Sequence, residues 1–186
     1  MSRIGRLPIV VPNGVTVDVT VDSTVVVTGP KGALRQYMDP VISLEKEEVE
    51  GKNTIVLKRA NEMPAVKAKH GLYRALIADM VKGVTEGYSK SLTVSGVGYK
   101  VEVKGNKLVM NIGFSHVVNV DVPEGLTVTC PSVTEIVVSG ISKEKVGQFA
   151  ADIKAIKPVE PYHGYGIHYT NETVRMKEIK KGAKKK

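Results

Sequence analysis

Apolar and polar residues alternate along much of the chain, which is the pattern of strands that bury one face. Residues 14–28 carry this alternation and then a β-branched run, so they are predicted to form two strands joined at residues 22–23. A glycine-rich turn follows at residues 29–32. Further strands are predicted at residues 34–38, 41–45 and 54–58.

The spacing of apolar residues then changes to the 3.6-residue period of a helix. The predicted core-facing stripe consists of Val66, His70, Tyr73, Ile77, Met80 and Val84. Asn61 is the expected N-cap and Pro64 suits the first turn. Gly83 and Gly87 are the expected stops, because glycine closes a helix at little steric cost. His70, on this stripe, is read as a hydrogen-bonded, partly buried histidine rather than a ligand.

The second half of the chain repeats this order of elements. A short amphipathic helix is predicted from Ser142, its N-cap, and Pro158 prevents its continuation. The strands that precede it are predicted at residues 91–97, 99–104, 107–112, 117–122, 126–130 and 136–138.

The two halves also align residue by residue. Four matched pairs have offsets of 84, 83, 81 and 76 residues: Gly29 with Gly113, Pro40 with Pro123, Ile55 with Ile136, and Gly71 with Gly147. Chance similarity of strand-rich segments is the alternative to duplication. We predict an α+β fold of two tandem copies, each a mainly antiparallel sheet packed against one helix. The expected domains are residues 1–88 and 89–169, followed by a basic tail at 170–186.

Composition places the chain among ordinary globular proteins, with 42% hydrophobic and 25% charged residues. No stretch approaches the ~18 apolar residues of a membrane span, and the N-terminus lacks the apolar run of a signal peptide. The single cysteine, Cys130, lies in a strand pattern and fits a reducing compartment. We therefore expect a cytoplasmic location and no membrane partner.

Positive charge is concentrated near the C-terminus. The net charge is +8; residues 1–88 carry 12 positive and 10 negative side chains, residues 89–153 six of each, and residues 154–186 nine and three. A polyanion that docks near the C-terminus would release counterions there. A disordered tail that only aids solubility is the alternative.

Candidate catalytic chemistry is sparse. The glycine-rich segments lack the pattern and position of nucleotide-binding loops, and the four histidines lack metal-ligand spacing. Cys130 has no basic neighbour in sequence that would lower its pKa. We predict that the chain is not an enzyme and has no cofactor, metal or small-molecule substrate.

Residues 158–169 combine aromatic residues and glycines just before the basic tail. Glycines let a backbone approach phosphates, while Tyr162, Tyr165 and Tyr169 can stack on bases. Arg175, Lys177, Lys180 and Lys181 can neutralise phosphates. The segment therefore predicts an RNA-binding surface; a final edge strand with ordinary surface tyrosines is the alternative.

Motifs along almost the whole chain resemble the family of the sixth ribosomal protein of the bacterial large subunit. They include His-Gly-Leu-Tyr-Arg-Ala at 70–75, Val-Ser-Gly-Val-Gly-Tyr at 94–99, Gly-Phe-Ser-His at 113–116 and Val-Gly-Gln-Phe-Ala at 146–150. Pro161 and Tyr162, with Gly164, Gly166 and Ile167, complete the match.

The resemblance implies a structural constituent of the large subunit that supports assembly and translation. Its second copy and tail would bind the large-subunit (23S) ribosomal RNA near the factor-binding region and the sarcin-ricin loop. Neighbouring ribosomal proteins, and translation factors nearby, are the other expected partners. The predicted RNA-binding residues are Arg3, Arg6, Lys154, Lys157, Tyr162, His163, Gly164, Tyr165, Gly166, His168, Tyr169, Arg175, Lys177, Lys180 and Lys181.

The chain departs from the family at one point. The family motif usually reads Tyr-Lys-Gly-Lys-Gly, whereas here His163 and Tyr165 replace the two lysines. We expect docking to be retained with an altered set of contacts. The alternative function is a protein-interaction module that uses the nearly neutral N-terminal repeat; an enzyme would need a polar pocket that the sequence does not indicate.

Overall fold

The computed structural model describes residues 3–49 and 52–178 of the chain. The chain divides into two compact units. The first runs to Tyr88 and includes Ile141–Lys143, and the second comprises Ser89–Gly140 and continues from Glu144. Among the described residues, no helix is long and apolar enough to cross a membrane.

The first unit contains two three-stranded antiparallel sheets and one helix. One sheet has the order β2-β3-β4 and the other has the order β1-β6-β5. The elements are β1 Ile9–Val10, β2 Thr16–Val19, β3 Thr24–Gly29, β4 Gly32–Tyr37, β5 Ile42–Val49, β6 Lys52–Arg59 and α1 Pro64–Thr85. The two-residue strand β1 was not predicted, whereas the other five strands were found from their apolar alternation.

Helix α1 packs its apolar stripe into the core of the first unit. Ile77 and Val84 are almost fully buried there, among the valines of β2 and β3. His70 is 3% exposed; its Nε2 lies 2.9 Å from the Leu57 carbonyl oxygen. The hydrogen bond expected for His70 is confirmed, and the side chain is more deeply buried than predicted.

Two details of α1 differ from the prediction. The N-cap is Met63 rather than Asn61; the Asn61 carboxamide oxygen accepts a hydrogen bond from the Met63 amide in the turn before the helix. Gly83 lies inside the helix instead of stopping it. Burial of the following Val84 offsets the cost of about 1 kcal/mol for a helical glycine. The chain reverses at Gly87, whose φ is 81°.

The second unit repeats this arrangement and extends it. Strands β8-β9-β10 form an antiparallel three-stranded sheet, and a four-stranded sheet has the order β11-β12-β7-β13. The elements are β7 Tyr88–Ser95, β8 Lys100–Lys104, β9 Lys107–Asn111, β10 Val118–Asp121, β11 Leu126–Ser132, β12 Glu135–Gly140, α2 Lys143–Ile156 and β13 Gly166–Tyr169. The predicted α+β class is confirmed.

Among the described residues, strand β13 of the second unit has no counterpart in the first. In the first unit, β1 lies at the edge beside β6; its counterpart β7 lies beside β12 and is paired on its other side with β13. The pairing is antiparallel and sets Gly166 opposite Ser95 and Tyr169 opposite Leu92. The edge strand considered as an alternative for residues 158–169 is therefore present at their C-terminal end.

Candidate nucleic-acid interface

The aromatic segment is defined as residues 158–169. A closed loop joins α2 to β13 and carries residues 158–165 of this segment. The Glu160 amide donates to the Tyr165 carbonyl at 2.9 Å, and the Gly164 amide donates to the Glu160 carbonyl at 3.0 Å. Gly164 has a φ of 74°, a conformation that glycine adopts without strain. The loop therefore has a defined backbone on which its side chains are displayed.

Gly166 holds this loop against the start of β13. It is buried and has a φ of 145°. A Cβ added there would lie 2.6 Å from the Pro158 carbonyl oxygen and 2.7 Å from the Val159 Cα. Because both neighbours are backbone atoms, they cannot move aside as a flexible side chain would. Gly166 thus has a packing role in the segment.

The two residues that replace the family's lysines contact each other. The rings of His163 and Tyr165 stack, with centroids 5.6 Å apart and planes inclined by 21°. His163 Nδ1 also lies 3.1 Å from a carboxylate oxygen of Glu160. Tyr165 is 40% exposed and Tyr162 is 48% exposed. The loop therefore presents aromatic surface to solvent rather than two ammonium groups.

A second aromatic group forms at the end of β13. The Lys154 ammonium lies 4.9 Å from the Tyr169 ring centroid, and that of Lys90 lies 5.4 Å from it. Lys154 also donates to both carboxylate oxygens of Glu172, at 2.8 and 2.6 Å. The Lys154 hydrogen bond, with a weaker one from the Tyr169 amide, lowers the pKa of Glu172 below its ordinary value. The Tyr169 cluster, defined as Lys90, Lys154, Tyr169 and Glu172, thus combines a ring with two cations and one anion.

The chain after β13 returns to the loop. The Lys177 amide donates to the Pro161 carbonyl at 2.7 Å, which brings Lys177 to the aromatic segment. Met176 also lies against the loop, since its sulfur is 3.2 Å from the point where a Cβ on Gly164 would lie. Arg175 is exposed. The predicted residues Lys180 and Lys181 lie outside the described residues.

Three other predicted residues are placed differently. Arg3 and Arg6 are exposed in the first compact unit, in the segment whose Leu7 and Pro8 carbonyls accept hydrogen bonds from Arg74. His168 is half-buried on β13, and its Nδ1 is buried without a hydrogen-bond partner among the described residues.

Sequence reasoning missed Lys90 and Glu172. Lys90 lies in β7, more than 60 residues before Lys154 in the chain, and reaches Tyr169 only because β7 pairs with β13. In the sequence, Lys90 is only a lysine near the start of a strand. Nothing there shows that this strand pairs with residues 166–169. Glu172 could have been suspected from its place three residues after Tyr169 in a basic segment.

Metal-ligating and nucleophilic side chains, the groups on which many enzymes rely, are described for residues 3–49 and 52–178. No cluster of three or more metal-ligating side chains occurs among those residues. Cys130 is half-buried on β11, and burial raises the pKa of its thiol, which keeps it protonated near neutral pH.

Comparison with known proteins gives a consistent match. The family model described as "Ribosomal protein L6" matches residues 11–87 and again residues 95–170. The chain is 50% identical over 184 residues to the protein named "Large ribosomal subunit protein uL6" from Clostridium botulinum (strain Eklund 17B), covering 99% of this chain and 100% of that protein. The protein of the same name from Dictyoglomus thermophilum is 47% identical with the same coverage. That of Latilactobacillus sakei is 48% identical over 182 residues, 98% of this chain and 99% of the relative.

Proposed function

The chain belongs to the ribosomal protein L6 family, and we propose that its second unit binds large-subunit ribosomal RNA through the aromatic segment and the residues around it. As a member of this family it is a ribosome-bound constituent of the large subunit and not an enzyme, with ribosomal RNA and ribosomal proteins as partners. The finer proposal places the contact near the factor-binding region and the sarcin-ricin loop, with translation factors nearby. Through this contact the chain supports subunit assembly.

The Tyr169 cluster is the observation that carries the proposal. An aromatic ring flanked by two lysines offers both a stacking face and charge for a phosphate. The exposed rings of Tyr162 and Tyr165 lie on the loop that leads into the same strand. Stacking platforms with neighbouring cations are the usual means by which proteins bind unpaired nucleotides.

Phosphate contacts position such a protein and supply most of its salt-dependent affinity. Besides Lys154, the cations between residues 154 and 178 are Lys157, Arg175 and Lys177. Glu172 already neutralises part of the charge of Lys154. The lysines after residue 179 add charge at positions outside the described residues. We therefore assign orientation to the folded segment and additional affinity to the lysine-rich end.

The stacked pair of His163 and Tyr165 supports the idea of an altered contact set. Two lysines at these positions would repel each other, and each ammonium group would be attracted to a phosphate. The observed pair instead shares a ring contact, and Glu160 accepts a hydrogen bond from His163. In our proposal the loop therefore replaces two phosphate contacts with one aromatic surface.

The test is to restore the two lysines in the full-length chain, as His163→Lys with Tyr165→Lys. Affinity for in vitro transcribed large-subunit rRNA is measured by filter binding over a series of salt concentrations. The slope of log K against log salt should steepen by about 0.7 to 0.9 for each phosphate contact regained. A control, Val21→Lys with Val133→Lys, adds the same charge at two exposed sites outside the segment. An unchanged slope in the segment variant, or an equal change in the control, would refute the altered contact set.

The second candidate function concerns the first unit. Strand β5 is an edge strand, and its Glu45, Glu47 and Glu48 are exposed, which favours a basic protein partner over RNA at this edge. Replacing Glu47 and Glu48 with glutamine should leave rRNA affinity unchanged and weaken retention of the chain on large subunits. Equal retention of the variant and the wild type on salt-washed large subunits would refute this role.

A further inference from the structure

The loop between β9 and β10 exposes a large aromatic side chain. Phe114 is one of only two phenylalanines in the chain and is 39% exposed, whereas the other, Phe149, is buried in the core. The Phe114 ring is nearly parallel to that of His116, with an angle of 9° and centroids 5.9 Å apart. Both side chains are exposed, so the pair forms a small aromatic platform.

The Tyr99 ring packs against two glycines, Gly96 and, at the start of this loop, Gly113. Added Cβ atoms would meet the Tyr99 ring at 2.4 Å from Gly96 and at 2.9 Å from Gly113. The Tyr99 ring therefore occupies the space that side chains would need at both glycines. Since Gly113 directly precedes Phe114, this packing fixes the start of the loop. A platform held in place in the free protein loses little entropy when a ligand stacks on it.

Lys157 joins the platform to the aromatic segment. Its ammonium lies 4.6 Å from the Phe114 ring centroid, and its carbonyl accepts a hydrogen bond of 2.8 Å from the Ile167 amide in β13. Lys157 forms no salt bridge within the described part of the chain, in contrast to Lys154, which Glu172 neutralises. An uncompensated cation beside two exposed rings suits a nucleotide, whose base can stack while its phosphate is neutralised.

We infer that Phe114 and His116 form a base-stacking site for an unpaired ribosomal RNA nucleotide, with Lys157 contacting the phosphate of that nucleotide or its neighbour. This inference rests on the proposed RNA-binding function and adds a second segment, residues 113–116, to its surface. The backbone hydrogen bond between Lys157 and Ile167 makes the stacking site continuous with the aromatic segment. The motif at residues 113–116 thereby gains a binding role.

The full-length chain is tested with in vitro transcribed large-subunit rRNA over a salt series. Phe114→Leu keeps an apolar side chain but removes the ring, so binding should weaken about tenfold, as expected for one stacked base. The slope of log K against log salt should stay unchanged, because no phosphate contact is removed. Lys157→Gln should instead reduce the slope by about 0.7 to 0.9. Phe114→Tyr should bind like the wild type.

Val117→Ala is the matched control, since Val117 is an exposed apolar residue of the same loop and should tolerate truncation without loss of affinity. Thermal unfolding of each variant checks that a loss of binding is not a loss of folding. Crosslinking to rRNA that contains 4-thiouridine provides a positional readout. The crosslinked peptide should contain Phe114 and His116 in the wild type, and its yield should fall in Phe114→Leu.

Each result bears on one of the two proposals. If the wild type fails to bind rRNA, the proposed function fails and this inference fails with it. If the wild type binds with a steep salt dependence but Phe114→Leu binds equally well, only the stacking site is overturned. Unchanged rRNA binding with weaker retention on assembled large subunits would assign the loop to a protein contact, which also overturns the stacking site.

Discussion

The two repeats share an order of elements but differ at one sheet edge. In the first, the two-residue β1 lies at the edge of its sheet, and α1 is followed directly by the turn at Gly87. In the second, the longer β7 is covered by β13, and the loop before β13 carries Tyr162 and Tyr165. The candidate RNA surface therefore arises from an added strand and its flanking loops, while the core pattern is kept.

Both repeats contain exposed ion pairs, and they differ in where some of their other cations lie. The first unit pairs many of its charges internally, as in the salt bridges Lys46–Asp18 and Lys67–Glu62. In the second unit, Lys157 and Lys90 contact aromatic rings instead of carboxylates. Duplication thus supplied two similar cores, and the added strand gave one of them a surface on which cations and rings lie together.

Matched core truncations should produce the largest effect and test whether the repeats are independent. Ile77 and Ile153 occupy equivalent helix positions and are 1% and 0% exposed. Replacing either with alanine should cost about 4 kcal/mol of the unfolding free energy of its own unit, through lost burial and the cavity that remains. Amide hydrogen exchange should locate the loss in β1–β6 and α1 for Ile77→Ala, and in β7–β13 and α2 for Ile153→Ala. Equal loss of protection in both units from either variant would contradict independence.

A side chain at Gly166, the first residue of β13, should have an intermediate effect on the stability of the second repeat. Gly166→Ala places a Cβ against the Pro158 and Val159 backbone at a φ that favours glycine, so we expect a loss of about 3 kcal/mol. Gly98→Ala is the control, because its φ of 75° is also unfavourable but no atom lies within 4 Å of the new Cβ. Its cost should be about 1 kcal/mol. Similar values in urea denaturation would mean that β13 is not held by this contact.

Much of the fold could be predicted from the sequence because the signals were local. Alternation located the strands of both repeats except β1 and β13, and the apolar stripes located α1 and α2. The errors occurred where distant parts of the chain decide the structure. Gly83 continues α1 because Val84 is buried in the core, and β1 exists only because residues 9–10 pair with residues 54–55 of β6.

The candidate site was predictable in composition but not in arrangement. Tyrosines and cations near the C-terminus were visible in the sequence, yet the partners of Tyr169 and Phe114 were not. Lys90 meets Tyr169 through strand pairing, and Lys157 meets Phe114 across more than 40 residues of chain. No local period encodes such contacts. The sequence therefore predicted the aromatic segment but not the residues that other parts of the chain bring to it.

The smallest expected effect concerns the Tyr169 cluster. Because the folded state lowers the pKa of Glu172, its pairing with Lys154 stabilises the protein above the ordinary carboxyl pKa of about 4.3. That contribution is lost as the pH falls through the lowered folded value. Glu172→Gln should therefore be slightly less stable than the wild type at pH 7 and equal to it in strong acid.

Urea denaturation at pH 7 and at successively lower pH measures this difference, with Glu178→Gln as the control. Glu178 is an exposed glutamate of the same segment, so its replacement controls for the loss of one carboxylate. The Glu172→Gln variant should also bind rRNA more tightly, because Lys154 is then released for phosphate. If Glu172→Gln instead weakened rRNA binding at neutral pH, the carboxylate would be needed to hold Lys154 over Tyr169, and the cluster would act as a fixed platform rather than a source of free charge.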